Sequence, residues 1–456
     1  MPFTEQAFLT CLDVLQTISE APELVDDQDR FKSLITKIHR TAKKQKKQQR
    51  QRQIAAADRR AIESTTIVRQ LIPHSPFKEL ADSGLPSPEP AKRIRPHSCY
   101  ICKTPYTQLH HFYHRLCPGC AELNWQKRNE RVNLNGRIAL VTGGRIKIGY
   151  QTVLKLLRDD AAVVTTTRFP VDAARRFQQE PDFEDWRNRL EIHQLDLRNL
   201  TSVETFADAM ISSQSHLDIL IHNAAQTVKR PLAYYQHLLS THCDSEATTL
   251  IHSHHNPFAL LESHPEYKGH IAAIEQYFPT GLLDVHEQQV DLRPMNSWRN
   301  KIEDISTIEM LEVYLVNAAA PFILTGRLKP LLRRSPSQRR FIVNVSAMEG
   351  QFGRLNKTVF HPHTNMAKAA LNMLTRTSAA DFAESSIYMN SVDTGWITDE
   401  KPTPLADQVR DKHGFYPPLD VIDGAARIYA PIVQGYSEPD EPYCGCFLKD
   451  YQPHPW

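Results

Sequence analysis

Four of the eight cysteines fall in two Cys-x-x-Cys pairs, Cys99-Tyr100-Ile101-Cys102 and Cys117-Pro118-Gly119-Cys120, with fourteen residues between them. Two knuckles at this spacing let four thiolates converge tetrahedrally on one Zn²⁺. A segment this short has few apolar residues to bury, so metal binding itself would supply its folding free energy and the zinc would be structural. A recognition finger is the functional alternative, helped by His110, His111, His114, Lys127, Arg128 and Arg131. About a dozen residues separate Cys120 from Val132, where the next domain begins, which favours knuckles packed against that domain. A redox role for either pair is disfavoured because there are two of them at metal-binding spacing.

Ile138-Ala139-Leu140-Val141-Thr142 is a short apolar run of the kind that makes a buried parallel strand. Gly143-Gly144-Arg145-Ile146-Lys147-Ile148-Gly149 follows, and then a helical pattern through Leu156 and Leu157. Strand, glycine turn and helix in this order let backbone approach a pyrophosphate, whose charge then sits at the helix N-terminus. The stretch resembles the Thr-Gly-x-x-x-Gly-x-Gly fingerprint of the short-chain dehydrogenase/reductase family, with Lys147 where the middle glycine belongs. A lysine there has a charge to offer a phosphate.

The resemblance continues in order along the chain and implies an α/β Rossmann-like fold, a doubly wound parallel sheet with helices on both faces. It implies cofactor contacts from Thr142, Gly143, Gly144, Arg145, Lys147, Ile148 and Gly149. Ala162 to Thr167 reads as a second strand ending at Arg168. NAD-selective members carry an acidic residue here, whereas an arginine suits a 2′-phosphate, so NADP is expected over NAD. Leu195-Asp196-Leu197 resembles the family's adenine-contacting segment. His222-Asn223-Ala224-Ala225 is similar to its Asn-Asn-Ala-Gly signature, with His222 and Ala225 as variants. Thr394-Gly395-Trp396-Ile397-Thr398 resembles its Pro-Gly-x-x-x-Thr turn, with Thr394 in place of proline. This implies nicotinamide contacts from Thr394, Gly395, Ile397 and Thr398.

Hydride transfer at a carbonyl carbon needs a proton moved at the oxygen and a group holding that oxygen. The family uses a tyrosine acid/base, a lysine, a serine and an asparagine. The resemblance assigns Asn317 to the asparagine, Ser346 to the serine and Lys368, which would also hold the nicotinamide ribose, to the lysine. Thr364 stands in the tyrosine position. An aliphatic hydroxyl titrates far above a phenol and is a poor acid/base near neutrality. His361 and His363 have the right pKa range to take over the proton, and both also fit surface loop histidines. The expected activity is NADP-dependent transfer of hydride to or from a small carbonyl or alcohol. The alternative is a catalytically inactive NADP-binding sensor or interaction scaffold.

The elements that must position these residues divide the chain into four. Residues 1–70 read as a helical hairpin, with stripes Phe8, Leu12, Leu15, Ile18 and Phe31, Leu34, Ile35, Ile38. The basic run Lys43, Lys44, Lys46, Lys47, Arg50, Arg52, Arg59 and Arg60 continues as a solvated helix, with contact to a protein partner as the alternative. Residues 71–98 read as a linker carrying six prolines, Pro73, Pro76, Pro86, Pro88, Pro90 and Pro96. Residues 99–131 form the cysteine module. Residues 132–456 form the Rossmann domain, with an insertion at about 226–305 that is expected over the nicotinamide end of the cleft and partly helical from Tyr234 to Leu261. The insertion carries His237, His242, His252, His254, His255, His264, His270 and His286 at irregular spacing, which favours surface histidines over a metal site.

Composition excludes little but bounds the rest. A formal charge of +2 gives no bulk attraction to nucleic acid or membrane. No run of 18 apolar residues appears, and the first twenty residues lack the layout of a signal peptide. A cytoplasmic protein, with homo-oligomerisation as the family's tendency, is the expectation.

Overall fold

The computed structural model describes residues 3–25, 27–71, 91–239, 249–252, 276–354, 357–398, 400–438 and 441–456. Helices Glu5–Glu20 and Gln28–Glu63 begin at side-chain caps, Thr4 accepting from the Ala7 N–H and Asp27 from that of Arg30. The expected stripes do not close on each other: Phe8, Leu12, Leu34 and Ile38 are all exposed, and the first helix buries no residue. The basic run is solvated, Lys43 to Arg52 lying on an exposed stretch of the second helix. That helix meets the rest of the chain near its end, where the buried Asp58 accepts the Ile94 N–H at 2.6 Å.

Ile94 belongs to strand β1 (Lys92–Ser98), which corrects the linker's expected extent. The ladder with β2 (Pro105–Gln108) overrides the single Pro96, as an edge strand tolerates. Residues 72–90, with the other five prolines, lie outside the described residues. Helix Pro118–Asn129 completes the cysteine module, with Pro118 at its first turn, where the missing N–H costs nothing.

The Rossmann sheet holds β3 (Ile138–Thr142), β4 (Ala162–Thr167), β5 (Leu190–Gln194), β6 (Ile219–His222), β7 (Arg340–Ser346), β8 (Ile387–Asp393), β9 (Phe447–Lys449) and β10 (Gln452–His454). Their order is β10-β9-β8-β7-β6-β3-β4-β5, parallel except for β10. Alternation splits each strand between two cores: Ala139 and Val141 face one and Leu140 the other. The first core is closed by helices Lys147–Arg158 and Val421–Ser437, and the second by Leu200–Ser213 and Thr307–Arg333.

Helix Thr307–Arg333 has the length and, at 1.4, the mean hydropathy of a membrane span. Its apolar face, Val316, Leu324, Leu328, Leu331 and Leu332, is buried in the second core. A π-helical turn, Leu315–Ala319, interrupts it. Pro321 has no N–H to give the carbonyl four residues back, that of Asn317, and the turn widens there.

Candidate active site and metal site

β3 has β4 on one side and β6 on the other, so the chain order reverses there and a crevice opens beyond the carboxyl ends of the strands. A cleft of about 450 Å³ occupies it. The cleft runs from Arg168 and Asp196, past the glycine turn, to Ser346, Lys368, Thr394 and Thr398.

The turn is built for close approach. Gly143 has φ +74°, and a Cβ there would stand 2.9 Å from the Ala224 Cα. A Cβ on Gly149 would collide with the Gly143 carbonyl oxygen and the Asn223 amide. Asn223 binds the turn from below, its Nδ2 donating to the carbonyls of Thr142 and Gly143 at 3.1 Å each, while Thr142 Oγ1 accepts the Ala224 N–H. Lys147 has φ +54°, so the position does require the left-handed region, and a side chain with a Cβ holds it at a cost of about 1–2 kcal/mol. Helix Lys147–Arg158 starts here and aims its N-terminal dipole into the cleft. These residues fit a diphosphate. His222, a variant in the signature, is a core histidine: burial pushes it down to about 3, its Nε2 meets Thr325 Oγ1 at 2.9 Å, and its buried Nδ1 has no partner in the protein.

At the Arg168 end, the guanidinium lies 4.8 Å over the Tyr235 ring and donates to its hydroxyl at 3.0 Å. Asp196 and Leu197 both line the cleft. Burial pushes the Asp196 carboxyl up, but Arg198, bonded to it at 2.9 Å, more than offsets this and holds it below the usual carboxylate range. Arg145 is already held by side chains of the protein. It lines the cleft but is mostly buried, its guanidinium donating to Asp172 at 2.6 Å and Gln288 at 2.8 Å within the protein.

At the other end, the hydroxyl of Ser346 donates to Asn372 Oδ1 at 2.5 Å, and the residue that follows it in the cleft wall is Ala347, without a hydroxyl. Lys368 lines the cleft, its Nζ donating to the Val345 carbonyl at 2.8 Å, and burial pushes it down to about 8. Asn317 sits in the π-turn. Its Nδ2 donates to the carbonyls of Gln226 and Val313 at 2.8 Å, leaving a buried Oδ1 unpartnered.

Of the expected catalytic residues, Asn317, Thr364 and His363 do not line the cleft, nor does His361; of the expected cofactor contacts, Thr142, Gly144, Gly395 and Ile397 do not, Ile397 being buried in the core of the cysteine module. Thr364 does not line the cleft; it is buried, and its Oγ1 has no hydrogen-bond partner in the protein. His361 is stacked flat on Trp298 at 4.0 Å, and its Nδ1 meets the Trp298 carbonyl at 2.9 Å. His363 is buried, with Glu309 Oε1 at 3.9 Å from its Nε2, and burial pushes its pKa down. Neither histidine lines the cleft, so the expectation that one of them replaces the tyrosine is not met by the geometry.

Several cleft residues carry no signal in the sequence. Glu400 accepts from Thr398 Oγ1 at 2.9 Å and Thr227 Oγ1 at 3.2 Å. Burial pushes its carboxyl up, but Lys147 and Arg230 prevail and hold it low. Tyr235 and Arg230 come from the insertion. Its described parts do not simply cover the nicotinamide end. Leu250–Ile251 pairs with Ile192 of β5, and Gln288 meets Arg145, both on the Arg168 side. Asn296 reaches the Glu400 carbonyl and Trp298 reaches His361 on the other. His237 and His252 lie among ordinary packing contacts; His242, His254, His255, His264 and His270, and most of 234–261, are outside the described residues.

Among the described residues, the one group suited to a metal ion is Cys99, Cys102, Cys117 and Cys120, whose sulfurs all lie within 4.8 Å of one another. The Cys102 and Cys117 sulfurs are 3.6 Å apart, and tetrahedral Zn–S bonds would place ligands about 3.8 Å apart. The Cys117 N–H donates to the Cys99 sulfur at 3.3 Å. The donor set fits zinc.

A family model described as short chain dehydrogenase matches residues 137–243, and one described as Enoyl-(Acyl carrier protein) reductase matches residues 266–419. An uncharacterized protein, R665, of Acanthamoeba polyphaga mimivirus is 33% identical over 352 residues, covering 74% of this chain and 71% of that protein. A short-chain dehydrogenase/reductase of Pyricularia grisea is 27% identical, covering 38% of this chain and 68% of that one. Human dehydrogenase/reductase SDR family member 13 is 44% identical over 95 residues, 20% of this chain and 24% of that protein. Among solved structures, NADPH-bound carbonyl reductase from chicken fatty liver is 20% identical with a TM-score of 0.45, covering 72% of this chain and all of that one. The chain belongs to the short-chain dehydrogenase/reductase family, whose members are oxidoreductases.

Proposed function

We propose that the chain binds NADP(H) in this cleft, and NAD(H) less tightly, and works as an oxidoreductase on a small carbonyl or alcohol. The observation that carries this reading is one cleft with a glycine cradle at its middle, Arg168 at one end and Lys368 at the other. When bound, the nicotinamide supplies or takes the hydride. Arg168 holds the 2′-phosphate by charge-assisted bonds, and Lys147 and the helix start face the diphosphate. Lys368 holds the second ribose. The test is NADPH binding to the purified protein, followed by NADPH consumption with a panel of aldehydes and ketones. Binding with consumption is expected; no binding would overturn the reading.

A second reading, dinucleotide binding without turnover as a sensor or scaffold, is favoured by the Ser346–Asn372 bond and the buried Thr364. Binding with no consumption across the panel would select it.

The four thiols are proposed to hold one structural Zn²⁺, and they fit a reducing compartment such as the cytosol. Elemental analysis should find about one zinc per chain, and Cys117→Ser should lose it and melt at least about 5 °C lower, because ligand binding is folding energy here. Metal-free native protein melting at the same temperature as the zinc-loaded protein would remove the proposal.

A further inference from the structure

The cysteine module and the cofactor cleft meet at one loop. Residues Thr394 and Thr398 line the cleft at its Lys368 end. Between them the chain turns outward: the Trp396 N–H donates to the Tyr100 hydroxyl at 3.0 Å, and Ile397 is buried in the module's own core. Tyr100 lies between Cys99 and Cys102, inside the first knuckle. Its backbone is held on the second side of the module, the N–H donating to the Arg115 carbonyl at 2.8 Å. Gly395 turns with φ +80°, and a Cβ there would stand 3.6 Å from the Tyr100 hydroxyl. The tight neighbour is Leu419, whose Cδ1 would stand 2.6 Å from that Cβ.

The contact is part of a continuous core. Cys99, Tyr106, Leu109 and Leu116 of the module pack with Ile397, Tyr416 and Leu419, and Ile148 of the glycine turn packs against the same cluster. Polar clamps fix the module from the other side. Arg128 donates at 2.6 and 2.8 Å to both oxygens of Asp420, the N-cap of helix Val421–Ser437, and Tyr113 donates to the buried Asp423 at 2.5 Å. Among the described residues the loop is backed by the knuckle and by Phe415, whose ring lies 4.5 Å from that of Trp396.

We propose that the metal-loaded cysteine module is a positioning element of the dinucleotide site, with Tyr100 holding the 394–398 loop for the half of the ligand remote from Arg168. The inference rests on the NADP and zinc readings above. A filled tetrahedral site fixes Cys99 and Cys102, hence the Tyr100 ring between them, hence the Trp396 N–H and the two threonines. Because both ligands bias the same arrangement, linkage makes the effect reciprocal: bound NADPH strengthens zinc retention by the factor by which zinc strengthens NADPH binding.

Two measurements on the full chain test this. On native zinc-loaded protein, zinc release to a chelating dye is followed with saturating NADPH and without it; NADPH should retain zinc about three- to tenfold better, the worth of one ordinary hydrogen bond. On Tyr100→Phe, which keeps the ring and loses the hydroxyl, NADPH should bind about three- to tenfold more weakly, with zinc content unchanged. The affinity for 2′,5′-ADP, which reaches only the Arg168 end, should be unaltered, whereas a general loss of stability would move both. Equal zinc retention with and without NADPH, or Tyr100→Phe binding NADPH as the native protein does, overturns the inference. Failure of native protein to bind either nucleotide, or to contain zinc, would instead be failure of the readings it rests on.

Discussion

Arg168→Asp is expected to weaken NADPH binding by about 30- to 100-fold while leaving NADH affinity level or higher. A hydrogen bond to a charged group is worth about 1.5–3 kcal/mol, and about 1.4 kcal/mol is tenfold in affinity. The substitution removes that bond and sets a carboxylate against the phosphate. Arg168 is also the prepared partner at this end: the Tyr235 ring beneath it and the Tyr235 hydroxyl beside it fix its plane at the cleft wall. Arg145 is no substitute, because Asp172 and Gln288 already hold it. An aspartate at the end of β4 can accept from a ribose 2′-hydroxyl, which only NADH offers. Calorimetry with both nucleotides decides it. Equal NADPH and NADH affinities in the native chain, or no change in the variant, would remove Arg168 from the site.

What the sequence disclosed and what it hid follow from the range of the interactions. The glycine turn was legible because strand, turn and helix are contiguous, so local pattern carries the geometry. The left-handed Lys147 illustrates this: the backbone keeps the conformation of a glycine although the residue has changed. The cysteine module was legible because metal chemistry constrains spacing directly. Side-chain direction was not. Ser346 ends the expected strand, yet its hydroxyl answers to Asn372 on the facing helix. His361 lies beside the expected catalytic position, but Trp298, 63 residues away in sequence, holds its ring. Arg145 sits in the fingerprint, and its counter-ion is 27 residues on. Glu400 and Tyr235 come from segments whose place over the cleft is set by packing, and nothing local announced them. The same holds for Tyr100, which reads as knuckle filler until Trp396 is brought against it.

Thr364→Tyr is expected to create or raise NADPH-dependent carbonyl reduction by at least about 100-fold, the lower end of what a positioned acid/base contributes. Position 364 lies one helical turn before Lys368 on helix Pro362–Ala383, so the two side chains share a face. A phenol there would lie next to a buried ammonium, which favours the phenolate and draws the tyrosine pKa down toward neutrality. A threonine at the same place is too short to reach the cleft, and its hydroxyl is buried unpartnered. The larger ring must make room, at a cost of about 1–3 kcal/mol of stability for overpacking. Thr364→Phe therefore serves as the control: it carries the same bulk without the hydroxyl, so the difference in turnover between the two variants isolates proton transfer from repacking. If Thr364→Tyr and Thr364→Phe both bind NADPH firmly and neither consumes it, the loss extends beyond the tyrosine. The Ser346 hydroxyl held by Asn372 is then the second missing part, because no group would fix the substrate oxygen in front of the phenol. That outcome would make this a dinucleotide-binding protein built on an oxidoreductase frame.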